Sequence, residues 1–249
     1  MIILKSLQEI EKIRKASLVV ADILESISSM VQPGVSTQAL DESAERLIRA
    51  QWAIPAFKGY RGYPKTLCTS VNKEVIHGIP SKEVILKQGD ILSIDVGAIV
   101  EGFYGDAAIT VPVGMISPEA ERLIKVTEES LQRGIAQAKP GNRLYDISHA
   151  VQSYVESNGY SVVKEYVGHG IGRSLHEDPQ IPNFGEAGQG PRLKPGMVLA
   201  IEPMVNAGRS ATVVKEDNWT AVTADGSLSA HYEHTVAVMP DGPWILTKK

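Results

Sequence analysis

Four carboxylates stand where acids are rarely kept without a chemical reason. Asp95 follows the apolar run ILSI, and Asp106 lies inside FYGDAAITVPV. In the other half of the chain Glu202 follows VLAI, and Glu233 lies inside SAHYEHTVAVMP. Acids are disfavoured in strand interiors, and an ionised carboxylate removed from water is costly unless a cation meets it. No lysine or arginine occurs within these runs. A salt bridge or a capping role would explain any one such acid. Four at matched positions point instead to divalent metal. Without a cation, two neighbouring carboxylates repel and one keeps its proton. Two divalent ions roughly 3.5–4 Å apart turn four carboxylates into a cage.

The matching comes from an internal repeat. LKPGMVLAIE (193–202) shares five of ten residues with LKQGDILSID (86–95), 107 positions earlier. The breaks Pro33-Gly34 and Pro140-Gly141 are separated by the same 107. Each half predicts helix, Pro-Gly, helix, then strands. Leu7, Ile10, Ile13, Val19, Ile23 and Ile27 recur at helical steps and predict a helix over 6–31. A second is expected over 40–51. A third starts at Ser117-Pro118-Glu119 and runs to AKPGNR, and a fourth covers 144–157. Strand alternation puts Leu92, Ile94 and Val96 on one face and Ile91, Ser93 and Asp95 on the other. Likewise Leu199 and Ile201 oppose Val198, Ala200 and Glu202. Asp95 and Glu202 are each expected at the end of a strand. Gly102 and Gly105 predict a hairpin that sets Asp95 beside Asp106.

Nitrogen donors accompany the acids. In YVGHGIGRSLHEDP, His169 sits between Gly168 and Gly170, which permit close backbone approach, and His176 is seven residues on. The spacing is not that of a helical HExxH zinc motif. The first half carries its own His77-Gly78. Together these suggest one histidine ligand and further histidines that handle substrate. His149 falls in a helical pattern and reads as a hydrogen-bonded core residue.

Composition excludes several classes. The net charge of −4 over 249 residues offers no basic stripe for nucleic acid. No apolar run nears the ~20 residues of a membrane span, and the N-terminus lacks a signal-peptide pattern. Cys68 is the lone cysteine, so neither a disulfide nor a cysteine zinc site is expected, as suits a reducing cytoplasm. A monomer or weakly associating chain is expected.

The set Asp95, Asp106, His169, Glu202 and Glu233 resembles the five-ligand dinuclear site of the methionine aminopeptidases. NKEVIHGIP, GHGIG, LHEDPQIPNFG and PGMVLAIEPM carry the likeness, which covers nearly the whole chain. The short form resembles the bacterial type I enzymes. The resemblance implies an α+β (α/β) pita-bread fold. Two pseudo-twofold-related helix-helix-strand halves, roughly 1–113 and 114–249, would flank a central antiparallel sheet in one catalytic domain, 1–249.

It also implies removal of the initiator methionine from nascent proteins with a small second residue, by water activated at two divalent ions (Co, Mn, Fe or Zn). Asp95 would be bidentate to one ion. Asp106 and Glu233 would bridge both, and His169 and Glu202 would complete the second. Glu202 would also act as general base, His77 would meet the scissile amide, and His176 would polarise the carbonyl. Phe57, Tyr60, Tyr63, Cys68 and Trp219 would form the methionine pocket, although Cys68 read alone is a core residue. Phe57 replaces a common cysteine, and Leu175 a common aromatic. A monovalent cation near Asn72 and Ser229 and transient ribosome docking are further implications. Two alternatives share the fold: an X-Pro aminopeptidase, against which the lack of an extra N-terminal domain argues, and a non-catalytic binding module, against which the intact ligand set argues.

Overall fold

A computed structural model describes residues 1–249. Helix α1 (Leu7–Met30) begins in a capping box, in which the Ser6 side chain accepts from Glu9 N and Glu9 reaches back to Ser6 N. Helix α2 (Thr37–Ala50) starts earlier than the expected residue 40, because the Ser36 side chain accepts from Ala39 N and caps it there. Strands β1 (Ile54–Pro55), β2 (Leu67–Val71), β3 (Glu74–Ile76), β4 (Ile91–Val100) and β5 (Phe103–Pro112) follow. Helices α3 (Pro118–Gln137) and α4 (Leu144–Ser157) match the expected spans, and Ser117 caps α3 with Pro118 in its first turn. Next come β6 (Ser161–Val162), β7 (Gly168–Gly170), β8 (Glu177–Ile181), β9 (Val198–Ile201) and β10 (Met204–Asn206). The last strands are β11 (Thr212–Val214), β12 (Ala221–Thr223), β13 (Ser229–His231), β14 (Glu233–Met239) and β15 (Gly242–Ile245).

The main antiparallel sheet has nine strands in the order β1-β4-β5-β14-β9-β7-β8, with β2 also on β4 and β15 also on β14. Both helix pairs cover the face opposite the acids. Val20, Ile23 and Ile27 of α1 and Leu40 and Ala44 of α2 pack on Leu92, Ile94 and Val96. Leu131 and Ile135 of α3 and Leu144 and Ile147 of α4 pack on Leu199, Ile201, Val236 and Val238. The alternation read from the sequence decides which side chains the helices cover, while both faces of β4 and β9 are buried. This is the pita-bread architecture of mixed helices and antiparallel sheet.

Three expectations need correction. Asp95 is not at a strand end: β4 continues to Val100, because VGAIV extends its apolar run, and only Glu202 follows the last residue of its strand. The run 229–240 is not one strand. It breaks at Tyr232, so β13 joins a small sheet with β10 and β6 while β14 stays in the main sheet. His149 is exposed on α4 beside Ser153 Oγ (Nε2 at 3.2 Å), not in the core.

The β4–β5 hairpin turns through Glu101 and Gly102, both at positive φ (52° and 77°), as a tight two-residue turn requires. Gly105, beyond the turn, lies directly under α1: a Cβ there would stand 2.5 Å from Ser17 N and 2.7 Å from Ser17 Cα. Gly105→Ala is therefore expected to push α1 off the sheet and cost about 1–3 kcal/mol. Urea denaturation reads this, and an unchanged midpoint would contradict so close a contact.

Candidate active site

The acids converge where the two halves of the main sheet meet. Asp95 pairs with Ala108 and Asp106 with Gly97, so the two acids share a face as diagonal rather than direct neighbours. Strands β5 and β14 pair only at Glu233↔Ala108 and His234↔Ala107. Beyond that, one threonine ties β14 to β5 and another ties β5 to β13. Thr235 Oγ1 accepts from Asp106 N (3.1 Å) and donates to Asp106 O (2.7 Å). Thr110 Oγ1 accepts from His231 N (2.9 Å) and donates to His231 O (2.9 Å).

His169 reaches the acids from β7. A Cβ on Gly168 would meet Ala200 O at 2.4 Å, and one on Gly170 would meet Asp178 O at 2.1 Å, so both flanking glycines are needed for the strands to close. The Nδ1–H donates to Gly170 O (2.9 Å), since a carbonyl can only accept. That leaves the Nε2 lone pair facing Glu202 Oε1 at 3.5 Å and Asp106 Oδ2 at 3.9 Å. Ligand atoms of Asp106, His169 and Glu233 all lie within 4.8 Å of one another.

Asp95, Asp106, Glu202 and Glu233 are 8%, 4%, 6% and 2% exposed, and no lysine or arginine lies within 4.0 Å of any of them. Asp95 Oδ1, Asp106 Oδ1 and Glu233 Oε1 are buried without a hydrogen-bond partner. Loss of water raises all four pKa values. Asp95 is pushed up to about 7. Asp106 and Glu233 rise well above the carboxylate range through burial and then the neighbouring acids, and Glu202 rises likewise. Burial pushes His169 down to about 3, which keeps its imidazole neutral and able to ligate. Oxygen-rich donors with a single imidazole suit divalent Mn, Fe or Co. Orphaned buried oxygens with no protein cation fit such ions.

One cavity of about 270 Å³ is lined by the five expected ligands Asp95, Asp106, His169, Glu202 and Glu233, by His77 and His176, and by Phe57, Tyr60, Tyr63, Cys68, Leu175 and Trp219, while Asn72 and Ser229 lie outside it. Metal-type donors and apolar walls thus share one space. Tyr63 and Trp219 meet edge-to-face at 5.1 Å. Cys68 sits opposite Asp95 in the β2–β4 register, and burial lifts its thiol far above a nucleophile's range. His77, at φ 61°, holds its ring edge-on to Tyr166 (5.7 Å) and Trp219 (6.3 Å). Burial and neighbouring His176 lower its pKa to about 4. His176 is exposed at the mouth, with Nδ1 2.8 Å from Tyr60 Oη and its ring 4.3 Å from that of His169. Ser229 N donates to Asn72 O (2.8 Å), which brings those two residues together as well.

Sequence reasoning missed His231 and Tyr166. His231 is 1% exposed, both ring nitrogens lack partners, and Nε2 is 3.8 Å from Glu202 Oε2. The chain breaks at Tyr232 between His231 and Glu233, so strand alternation could not place His231 on the acids' face. Tyr166 lies in a loop, where no periodicity points inward.

Compared with known proteins, the chain matches metallopeptidase family M24 over residues 11–240. It is 56% identical over 247 residues to a methionine aminopeptidase of Clostridium acetobutylicum, across 99% of each chain. The crystal structure of a methionine aminopeptidase from Thermotoga maritima is similar at a TM-score of 0.99 and 50% identity, covering 100% of both chains. A prolidase from Pyrococcus horikoshii is similar in fold alone, with a TM-score of 0.79 at 23% identity, and the match spans 64% of that chain.

The raised carboxylate pKa values make stability depend on pH in the metal-free chain. Protonation of these acids supports the fold fully below their unfolded pKa near 4. That support is lost as pH rises through the folded values, about 7 for Asp95. Buried neutral histidines act in the opposite sense, but only below about 6.5. Above that pH the carboxylates dominate. The metal-free protein is expected to melt lower at pH 9 than at pH 6.5, and Mn(II) should remove most of the difference. A melting temperature that rises over this range without metal would contradict the assignment.

Proposed function

The chain belongs to metallopeptidase family M24, among the methionine aminopeptidases, and from that premise we propose that it removes the initiator methionine from nascent polypeptides with a small second residue. The observation that carries the reading is the pairing of four buried, cation-free carboxylates and His169 with an aromatic-walled cavity. Divalent ions held by Asp95, Asp106, His169, Glu202 and Glu233 would polarise the scissile carbonyl and acidify a water.

The protein supplies the rest. An unbranched thioether fills an irregular apolar pocket well, and Phe57, Tyr60, Tyr63, Cys68, Leu175 and Trp219 offer one. Phe57 and Leu175 both belong to the cluster that walls it, so they shape its selectivity. Glu202, without a basic partner, is placed to take a proton from the attacking water and deliver it to the leaving amine. His77, held neutral, can donate a hydrogen bond at the scissile amide. Partial loss of water around the His176 ring, and then the nearby Arg61 charge, lower its pKa, so that as a neutral donor it can meet the carbonyl oxygen as charge develops there. The atoms balance: one water is consumed, one peptide bond breaks, and free methionine and a new N-terminal amine result.

In this reading the metals are Co, Mn, Fe or Zn, and Asn72 and Ser229 hold a monovalent cation. The protein works as a cytoplasmic monomer that meets nascent chains, with transient ribosome contact and no role for nucleic acid or membrane. No helix is long and apolar enough to cross a membrane.

Metal-stripped protein resupplied with Mn(II) or Co(II) should release methionine from Met-Ala peptides and leave Met-Lys, Leu-Ala and Ala-Pro peptides intact, as read by mass spectrometry. Cleavage of Ala-Pro would move the protein to the X-Pro enzymes. No cleavage despite bound metal would favour a binding module. Glu202→Gln should lower kcat by on the order of 10²–10⁴, and a near-wild-type kcat would remove Glu202 from proton transfer.

A further inference from the structure

The loop that carries His176 is held by a lysine from the opposite end of the sequence. His176 is the last residue before β8, and Glu177 opens that strand. Glu177 Oε1 accepts the backbone N–H groups of Arg173 (2.8 Å) and Ser174 (3.2 Å), which ties it to the loop between β7 and β8. Its other oxygen, Oε2, lies 2.5 Å from Lys5 Nζ. The lysine and glutamate side chains are only 4% and 11% exposed, and no other basic group lies within 4.0 Å of Glu177.

Lys5 is itself fixed. Its backbone N–H donates to Gly196 O at 2.7 Å, in the turn before β9. The loop closes tightly over the pair: a Cβ on Gly172 would stand 2.4 Å from Lys5 Cε and 2.8 Å from Glu177 Oε1. Lys5 reaches no part of the cavity wall, so it cannot touch substrate there. The contact path from Lys5 to the cavity is Glu177 and the adjoining His176, whose Nδ1 lies 2.8 Å from Tyr60 Oη.

We propose that Lys5 is a positioning residue for His176. A buried carboxylate that loses its one counter-ion stays in place only at high cost. Glu177 regains water by swinging outward. It would take the amides of Arg173 and Ser174 with it, and His176 would leave its station beside His169 and Tyr60. Neutralising both partners removes that drive. The proposal rests on the carbonyl-polarising role given to His176 above.

The test uses the metal-loaded enzyme and a Met-Ala peptide. Lys5→Met should lower kcat roughly 10- to 100-fold with KM nearly unchanged, as a displaced catalytic group does. The neutral pair Lys5→Met/Glu177→Gln should recover most of the rate. His176→Asn should be costly in the wild type but nearly silent in the Lys5→Met background, because the two act as a unit. Where Lys5→Met does not fold, Lys5→Gln keeps an N–H donor without the charge and should show the same non-additivity. Hydrogen exchange at Arg173 and Ser174 should quicken in Lys5→Met and slow again in the neutral pair. That arm needs no activity, so it tests the clamp even if the aminopeptidase reading fails. Independent, multiplicative losses for Lys5→Met and His176→Asn would overturn the proposal, as would unchanged exchange at the two amides. If His176→Asn leaves wild-type cleavage intact, the role of His176 falls and this proposal falls with it, while release of methionine still supports the aminopeptidase.

Discussion

Four carboxylates crowd a nearly dry floor that holds no ammonium or guanidinium to meet them. A lone protein cannot keep four adjacent buried charges, so at neutral pH the site must hold protons or metal. The rest of the structure can be understood as the means of placing those acids within reach of one another and of a cavity.

The echoed segments 107 residues apart supply the means. Each half brings a helix pair over one face of its strands and leaves the other face free to carry acids. The halves join along β5 and β14 by only two paired positions, and beyond these Thr235 ties β14 to β5 while Thr110 ties β5 to β13. His169 enters through a strand so closely packed that its two neighbours must be glycine. Aromatic rings from loops then roof the acids and turn a metal-type cluster into the end of a pocket.

Much of this was legible in the sequence, for physical reasons. Acids in apolar strands are costly, so Asp95, Asp106, Glu202 and Glu233 stood out. Helical periodicity placed α1, the Ser117-Pro118-Glu119 start placed α3, and alternation gave the helix-covered face of β4 and β9. What escaped notice depended on tertiary context. The break at Tyr232 comes from β13 pairing with a different sheet, which no local pattern encodes. His149 has helical spacing like a core residue, yet α4 turns it outward. Tyr166 and the Lys5–Glu177 pair are brought in by loops and by contacts 172 residues apart along the chain.

The central claim is that acids from both halves form one two-ion site. Anomalous diffraction from crystals soaked in Mn(II) tests it most directly. Two peaks are expected inside the cavity, one on the Asp95 side and one on the His169 side, with Asp106 and Glu233 between them. No peak among these residues under saturating Mn(II), or Mn(II) bound only at surface acids, would contradict the account.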